Sequence, residues 1–299
     1  MANKTTESAD PRTGSRTALT VRPSSRRLPL PAGSDGSGGG RGGLIGAVAA
    51  EWTKLWTVRS TWVALASTAA LIIAYTVIAG GAARSASAAG ATGGTTGGLP
   101  TAPLENLGTG VAFMGQFGVL ALATMVIAAE YSTGSIRSTL LWVPVRWRML
   151  LAKCLVLFPV LFVVGVVLTP VGLGTAIATL GDSAQPVDAG DAVGQALAIG
   201  GYLGAVGVIV VGIGAAVRSV AGTLTVGFLL MLVLPMTMQS TSVAFLSKAA
   251  DYLPGPAGMN LMGVAENNAY GTGTAIALLA SWALAANIAG YWVLRTRDA

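Results

Sequence analysis

Apolar residues along this chain fall into six stretches of about 20, almost free of charge, with polar and charged residues collected in the gaps. That length has a physical meaning. A hydrocarbon layer about 30 Å thick, crossed at 1.5 Å per residue, needs roughly 20 helical residues. The pattern predicts an all-α polytopic membrane protein with six transmembrane helices. The spans are expected at about residues 60–80, 111–129, 150–175, 192–217, 219–238 and 274–294. Charges bound them: Arg59 and Arg84 the first, Glu130 the second, Arg295 and Arg297 the sixth. Lys153 lies just inside the third, where its aliphatic stem lets the ammonium reach back to the surface. Arg218 is the sole charge between the fourth and fifth, which predicts a tight helical hairpin.

Ahead of the first span the periodicity changes. On a helix, Ile45, Val48, Trp52, Leu55 and Trp56 fall in one arc about 100° wide, and Glu51 and Lys54 lie off it. Tryptophans on the apolar face with charges opposite predict an interfacial amphipathic helix lying in the headgroup plane. Residues 1–43 have no apolar run and are rich in Ser, Thr, Pro, Gly and Arg, so a disordered cytoplasmic tail is expected before a six-span domain over 44–299. No signal peptide is predicted, since the first apolar run follows residue 43 without a cleavage context. Gly38, Gly40 and Gly43 spell G-x-G-x-x-G, but Pro29 and Pro31 upstream exclude the buried strand a dinucleotide turn requires.

The connections differ in character. Residues 81–110 begin with Gly, Ala, Ser and Thr and predict a flexible external loop. Residues 239–273 mix Val243, Phe245 and Leu246 with Pro254, Gly255 and Pro256, too apolar for an open loop and too broken to span. A short re-entrant or surface-lying helix is expected there. In the loop 130–149, Ile136, Leu140 and Val143 recur at helical spacing after Gly134, and Pro144 ends the run. This predicts a short amphipathic helix with Arg137 on its flank. Gly200 and Gly204 make a G-x-x-x-G step in the fourth span, which permits close helix contact.

Composition sharpens the picture. Only 10% of the 299 residues are charged and 53% are hydrophobic, against about a quarter charged in soluble domains. The net charge of +6 follows membrane topology rather than a nucleic-acid surface. With the N-terminus inside, sixteen of the eighteen basic residues lie on the cytoplasmic side and only Arg84 and Lys248 outside. The positive-inside rule therefore predicts a cell-membrane protein with both termini cytoplasmic. The lone Cys154 excludes an intrachain disulfide and reads as a small apolar residue.

The loop Glu130-Tyr131-Ser132-Thr133-Gly134-Ser135-Ile136-Arg137-Ser138-Thr139-Leu140, followed by Pro144, Arg146 and Lys153, resembles that of permease subunits of ABC transporters of the type-two exporter class. Glu51-Trp52-Thr53-Lys54-Leu55-Trp56, then Val58-Arg59-Ser60-Thr61-Trp62, is similar to their elbow helix and first span. Tyr252-Leu253-Pro254 with Ala257-Gly258 is similar to their last external segment. The resemblance runs from residue 44 to the C-terminus. It implies two six-span subunits, homo- or heterodimeric, each met by a separate ATPase subunit. It places the coupling loop on Glu130, Tyr131, Ser132, Thr133, Gly134, Ile136, Arg137 and Leu140. The elbow falls on Glu51, Trp52, Lys54, Leu55 and Trp56. Where such loops commonly carry a basic pair after the proline, this chain has Val145-Arg146-Trp147-Arg148.

The remaining chemistry is defined by what is missing. There is no G-x-x-x-x-G-K-[ST] phosphate loop, so ATP would have to be handled by another chain. Without histidine, and without a carboxylate pair inside a span, no catalytic residue, metal ligand or cofactor site is expected and the chain is not read as an enzyme. Ionisable residues near span centres, which ion-coupled carriers keep at a cost of ~2.5–3.5 kcal/mol each, are absent. ATP-driven export is thus expected ahead of a gradient-driven carrier or a non-transporting membrane scaffold. Its partners would be an ATPase subunit, a second permease and lipid, with no nucleic acid. Gln116 and Asn287 are the polar residues inside spans that can line a path or bond between helices.

Overall fold

The computed structural model describes residues 43–89, 95–96, 99–132, 146–265 and 270–296. The tail up to residue 42 and the helix expected after Gly134 lie outside the described residues. Helix α1, Leu44–Thr57, ends at Val58, whose extended backbone (φ −87°, ψ 122°) turns the chain into α2, Arg59–Ala88. Aromatic side chains brace this elbow. The Trp56 ring lies 5.7 Å from Trp52 and 5.2 Å from Trp62, whose indole N–H donates to the Trp56 carbonyl at 3.3 Å.

The external loop expected over 81–110 is shorter than its composition suggests. Helix α2 continues to Ala88, and α3, Pro103–Gly110, begins on a proline, which suits a first helical turn because it needs no N–H partner there. Between them β1, Thr95–Thr96, pairs antiparallel with β2, Leu99–Pro100, a ladder two residues long. The second span thus starts eight residues before the apolar run does. It passes through a π-helical turn, Val111–Gly115, into α4, Gln116–Ser132.

Helix α5, Arg146–Leu180, contains Pro159 and Pro170. Proline is tolerated inside a buried apolar helix where neighbouring elements satisfy the freed carbonyls. Helix α6, Ala189–Val217, starts on Asp188, whose carboxylate accepts the Gly190 N–H at 2.7 Å. It stops at Arg218 in the left-handed region, φ 60°. That residue makes the hairpin, and α7, Val220–Phe228, follows at once. A second π-helical turn, Leu229–Val233, links α7 to α8, Leu234–Gln239, completing the fifth span. Two short helices, α9 (Ala244–Ala250) and α10 (Pro254–Leu261), precede α11, Thr272–Thr296.

Helix α6 is the core of the bundle. Its most apolar window is 72% buried, against 22% for the fifth span and 11% for α11. Small residues let its neighbours approach. A Cβ on Gly165 of α5 would lie 2.7 Å from the Gly200 Cα, and one on Gly212 would lie 2.5 Å from the Ala286 carbonyl carbon of α11. Gly204 faces Phe158 just as closely, so the G-x-x-x-G step is used for packing. Helix α10 enters the bundle: Pro254 to Gly258 are buried, and a Cβ on Gly258 would strike the Tyr202 ring at 2.0 Å. Helix α9 stays at the surface with Phe245 79% exposed.

The outer face is as apolar as the interior. Trp62, Val63, Ile78, Val167, Leu284 and Trp292 are all more than half exposed. Six helices are long and apolar enough to cross a membrane. An apolar exterior around them is what lipid, not water, solvates. The chain is a multi-pass α-helical membrane protein.

Candidate functional site

On the charged face of α1, Glu51 turns inward and Lys54 stays partly exposed. Glu51 and Lys54, three residues apart, share one side of the helix. That side packs on α5, about two turns from its start, where Lys153 waits. The Lys153 ammonium donates to Glu51 Oε2 at 2.8 Å, to Glu130 Oε1 at 2.8 Å and to the Val126 carbonyl at 3.0 Å. Its three protons are all used. Lys54 also donates to Glu130 Oε1. Two carboxylates and two ammonium groups thus cancel in one cluster that joins α1, α4 and α5.

This corrects two expectations. Lys153 does not reach the surface, being 0% exposed, and Glu130 is only 3% exposed. Glu51, expected on the water side of an interfacial helix, is 11% exposed. The reason is local pairing. A lysine in an apolar run can end in water or in a carboxylate, and here two carboxylates are supplied by neighbouring elements. Burial holds the Lys54 pKa below its ordinary value, with the nearby Lys153 charge acting the same way and Glu51 opposing both.

A second set of contacts ties the same end of the bundle together. The Arg218 guanidinium lies 4.9 Å from the centre of the Tyr131 ring, a cation–π pair between the hairpin and the end of α4. The Tyr131 phenol is pushed above its usual pKa chiefly by burial, against the pull of Arg218 and then Arg146. Arg146 donates to the Leu294 carbonyl in the last turn of α11, where a cation meets the negative end of a helix. Neither Arg218 nor Arg146 was singled out for these roles by sequence. A lone cation at a helix boundary reads equally well as a topology marker.

Among the predicted coupling-loop residues, Glu130, Tyr131 and Ser132 close α4, whereas Thr133, Gly134, Ile136, Arg137 and Leu140 lie outside the described residues. Leu55 is buried at the elbow, Trp56 is half-buried, and Trp52 is exposed beside it.

The two amides bind helices to one another. Gln116 Oε1 accepts from the Tyr202 hydroxyl at 2.6 Å in full burial. The Asn287 Nδ2 group donates to Val208 at 3.0 Å and Ala283 at 2.8 Å, and its Oδ1 accepts from the Cys154 thiol at 3.3 Å. Cys154 is therefore a bridge from α5 to α11 rather than an inert filler. Asn287→Leu is expected to lower stability by about 0.6–1.7 kcal/mol, seen as a lower unfolding midpoint in detergent. An unchanged midpoint would mean that the three contacts contribute nothing net.

Among the described residues no group of His, Cys, Asp and Glu is arranged to hold a metal. No protein-family model matches this chain, and the comparison with curated proteins gives no matching relative.

Proposed function

We propose that this chain is the permease subunit of an ATP-driven exporter of the ABC type-two class, working as a dimer with a separate ATPase. The observation that supports it best is the Glu51–Lys54–Glu130–Lys153 cluster. It joins the elbow helix, the end of the second span and the start of the third, flanking the loop over which the family resemblance runs. A push delivered to that loop would move three elements as one body, because separating any of them unpairs a buried charge. Seven of the described basic residues lie at this end and only Arg84 and Lys248 at the other. The positive-inside rule therefore puts the cluster and both termini on the cytoplasmic side of the cell membrane, with α1 in the headgroup layer.

The test is reconstitution with the ATPase subunit that co-purifies. Glu130→Gln keeps the side-chain shape and removes the shared charge. It is expected to leave the ATPase bound and hydrolysing, while substrate movement per ATP falls at least about tenfold, the factor for 1.4 kcal/mol of coupling. A chain that carries no ATPase in mild detergent, or a variant with normal transport per ATP, overturns the reading.

One observation favours a second reading. Buried ionisable groups in a span are by default candidates for proton relay, and Lys153, paired with Glu51 and Glu130 at the span's end, is one. A gradient-driven carrier would stop when an uncoupler is added with ATP still present, and the exporter would not.

A further inference from the structure

A lateral cavity of about 1060 Å³ opens between α5, α6 and α11, with α3 and the end of α10 at its rim. Its mouth lies at the end of the bundle opposite the charge cluster, and its lining contains neither Gln116 nor Asn287. From Asp191 at the rim to Val208 at the floor, α6 runs about 25 Å at 1.5 Å per residue. The volume is at the top of the range for small-molecule sites.

Its chemistry is divided along that axis. The deep part is apolar, with Phe158 and Phe162 stacked at 6.2 Å along one wall. The rim carries Glu105, Asp191 and Gln195, and no lysine or arginine lines any part of it. Neither carboxylate is ion-paired among the described residues. Gln195 is 8% exposed, and its Nε2–H donates to the Leu104 carbonyl at 3.4 Å. Two anionic acceptors, Glu105 and Asp191, therefore stand at the mouth of a deep greasy slot. Such a rim selects a positively charged N–H donor and repels phosphate.

We infer that the cavity binds a long-chain primary ammonium ion, its head held by Glu105 and Asp191 and its chain lying between the two phenylalanines and α11. The assignment does not rest on the exporter reading, because binding here needs no ATPase and none of the cluster residues. A phospholipid is disfavoured, since even a zwitterionic headgroup would bring its phosphate against the two carboxylates.

The test uses the full chain in phosphatidylcholine nanodiscs with two nitroxide-labelled probes, octadecylammonium and octadecanol. Spin-resonance spectra report the fraction of each probe held immobile. The ammonium is expected to bind about tenfold better than the alcohol, and the Glu105→Gln/Asp191→Asn double variant should erase the difference. Ala280→Phe, which fills the slot lower down, should release both probes. Equal binding of the two probes to the unmodified protein overturns the inference without reference to any variant. So does a preference that survives in the double variant. Displacement of the ammonium probe by equimolar phosphatidylethanolamine would make this a phospholipid site instead.

Discussion

Lys153→Met should destabilise the protein by about 3–5 kcal/mol, the cost of breaking a buried ion pair from one side. The substituted side chain fills the same space, so the loss is electrostatic. Glu51 Oε2 and Glu130 Oε1 would each lose an ammonium donor, and the Val126 carbonyl would lose one too. A lowered unfolding midpoint and poor monodispersity in mild detergent would report it. Adding Glu51→Gln and Glu130→Gln to the same chain should recover most of the loss, because neutral amides are far cheaper to bury than unpaired carboxylates. If Lys153→Met alone melts like the unmodified protein, the cluster does not hold α1, α4 and α5 together, and the coupling proposal loses its support.

Gly165→Ala is the second large effect. Its new methyl group would meet the Gly200 Cα at 2.7 Å and the Gly200 nitrogen at 2.8 Å. Both are backbone atoms of a packed helix, so no rotamer change relieves the clash and α5 must move off α6. Overpacking of this kind costs about 1–3 kcal/mol or more. Gly174→Ala on the same helix is the internal control. Nothing lies within 4 Å of a Cβ there, and alanine should stabilise by up to about 1 kcal/mol through helix propensity. Equal unfolding midpoints for the two variants would mean the α5–α6 contact is looser than it looks.

Comparison of particular elements shows where sequence reasoning succeeded. The fourth and fifth spans, separated by two residues, are expected at 192–217 and 219–238 and occur at Ala189–Val217 and within Val220–Gln239. Hydropathy located them because lipid tolerates no long polar interruption. The start of the second span was misplaced by the same rule. Glu105, Asn106 and Thr109 read as loop, yet α3 is helical and Asn106 is fully buried. Polar residues are penalised in proportion to contact with lipid, and these face protein or a cavity. Short helical structure before the sixth span was legible from the mixture of proline, glycine and apolar residues, and it occurs as α9 and α10. The docking of α10 against Tyr202 through Gly258 was not legible, since that contact joins residues far apart in the chain.

The candidate site divides in the same way. Each of its charges was visible in the sequence, and Glu51, Lys54 and Glu130 were picked out. Their mutual contact was not visible. Glu51 pairs with a residue 102 positions away and Glu130 with one 23 away. No periodicity spans such distances.

The amino-acid sequence alone determined that lipid is the solvent, how many times the chain crosses it, and which end gathers the positive charge. These follow from transfer free energies that act residue by residue along a helix. Only the tertiary structure decided that α6 lies at the centre, that Lys153 is buried between two carboxylates, and that an acid-rimmed cavity separates α5 from α11. Those depend on which side of each helix meets which neighbour, and that choice is made by close packing between segments remote in the chain.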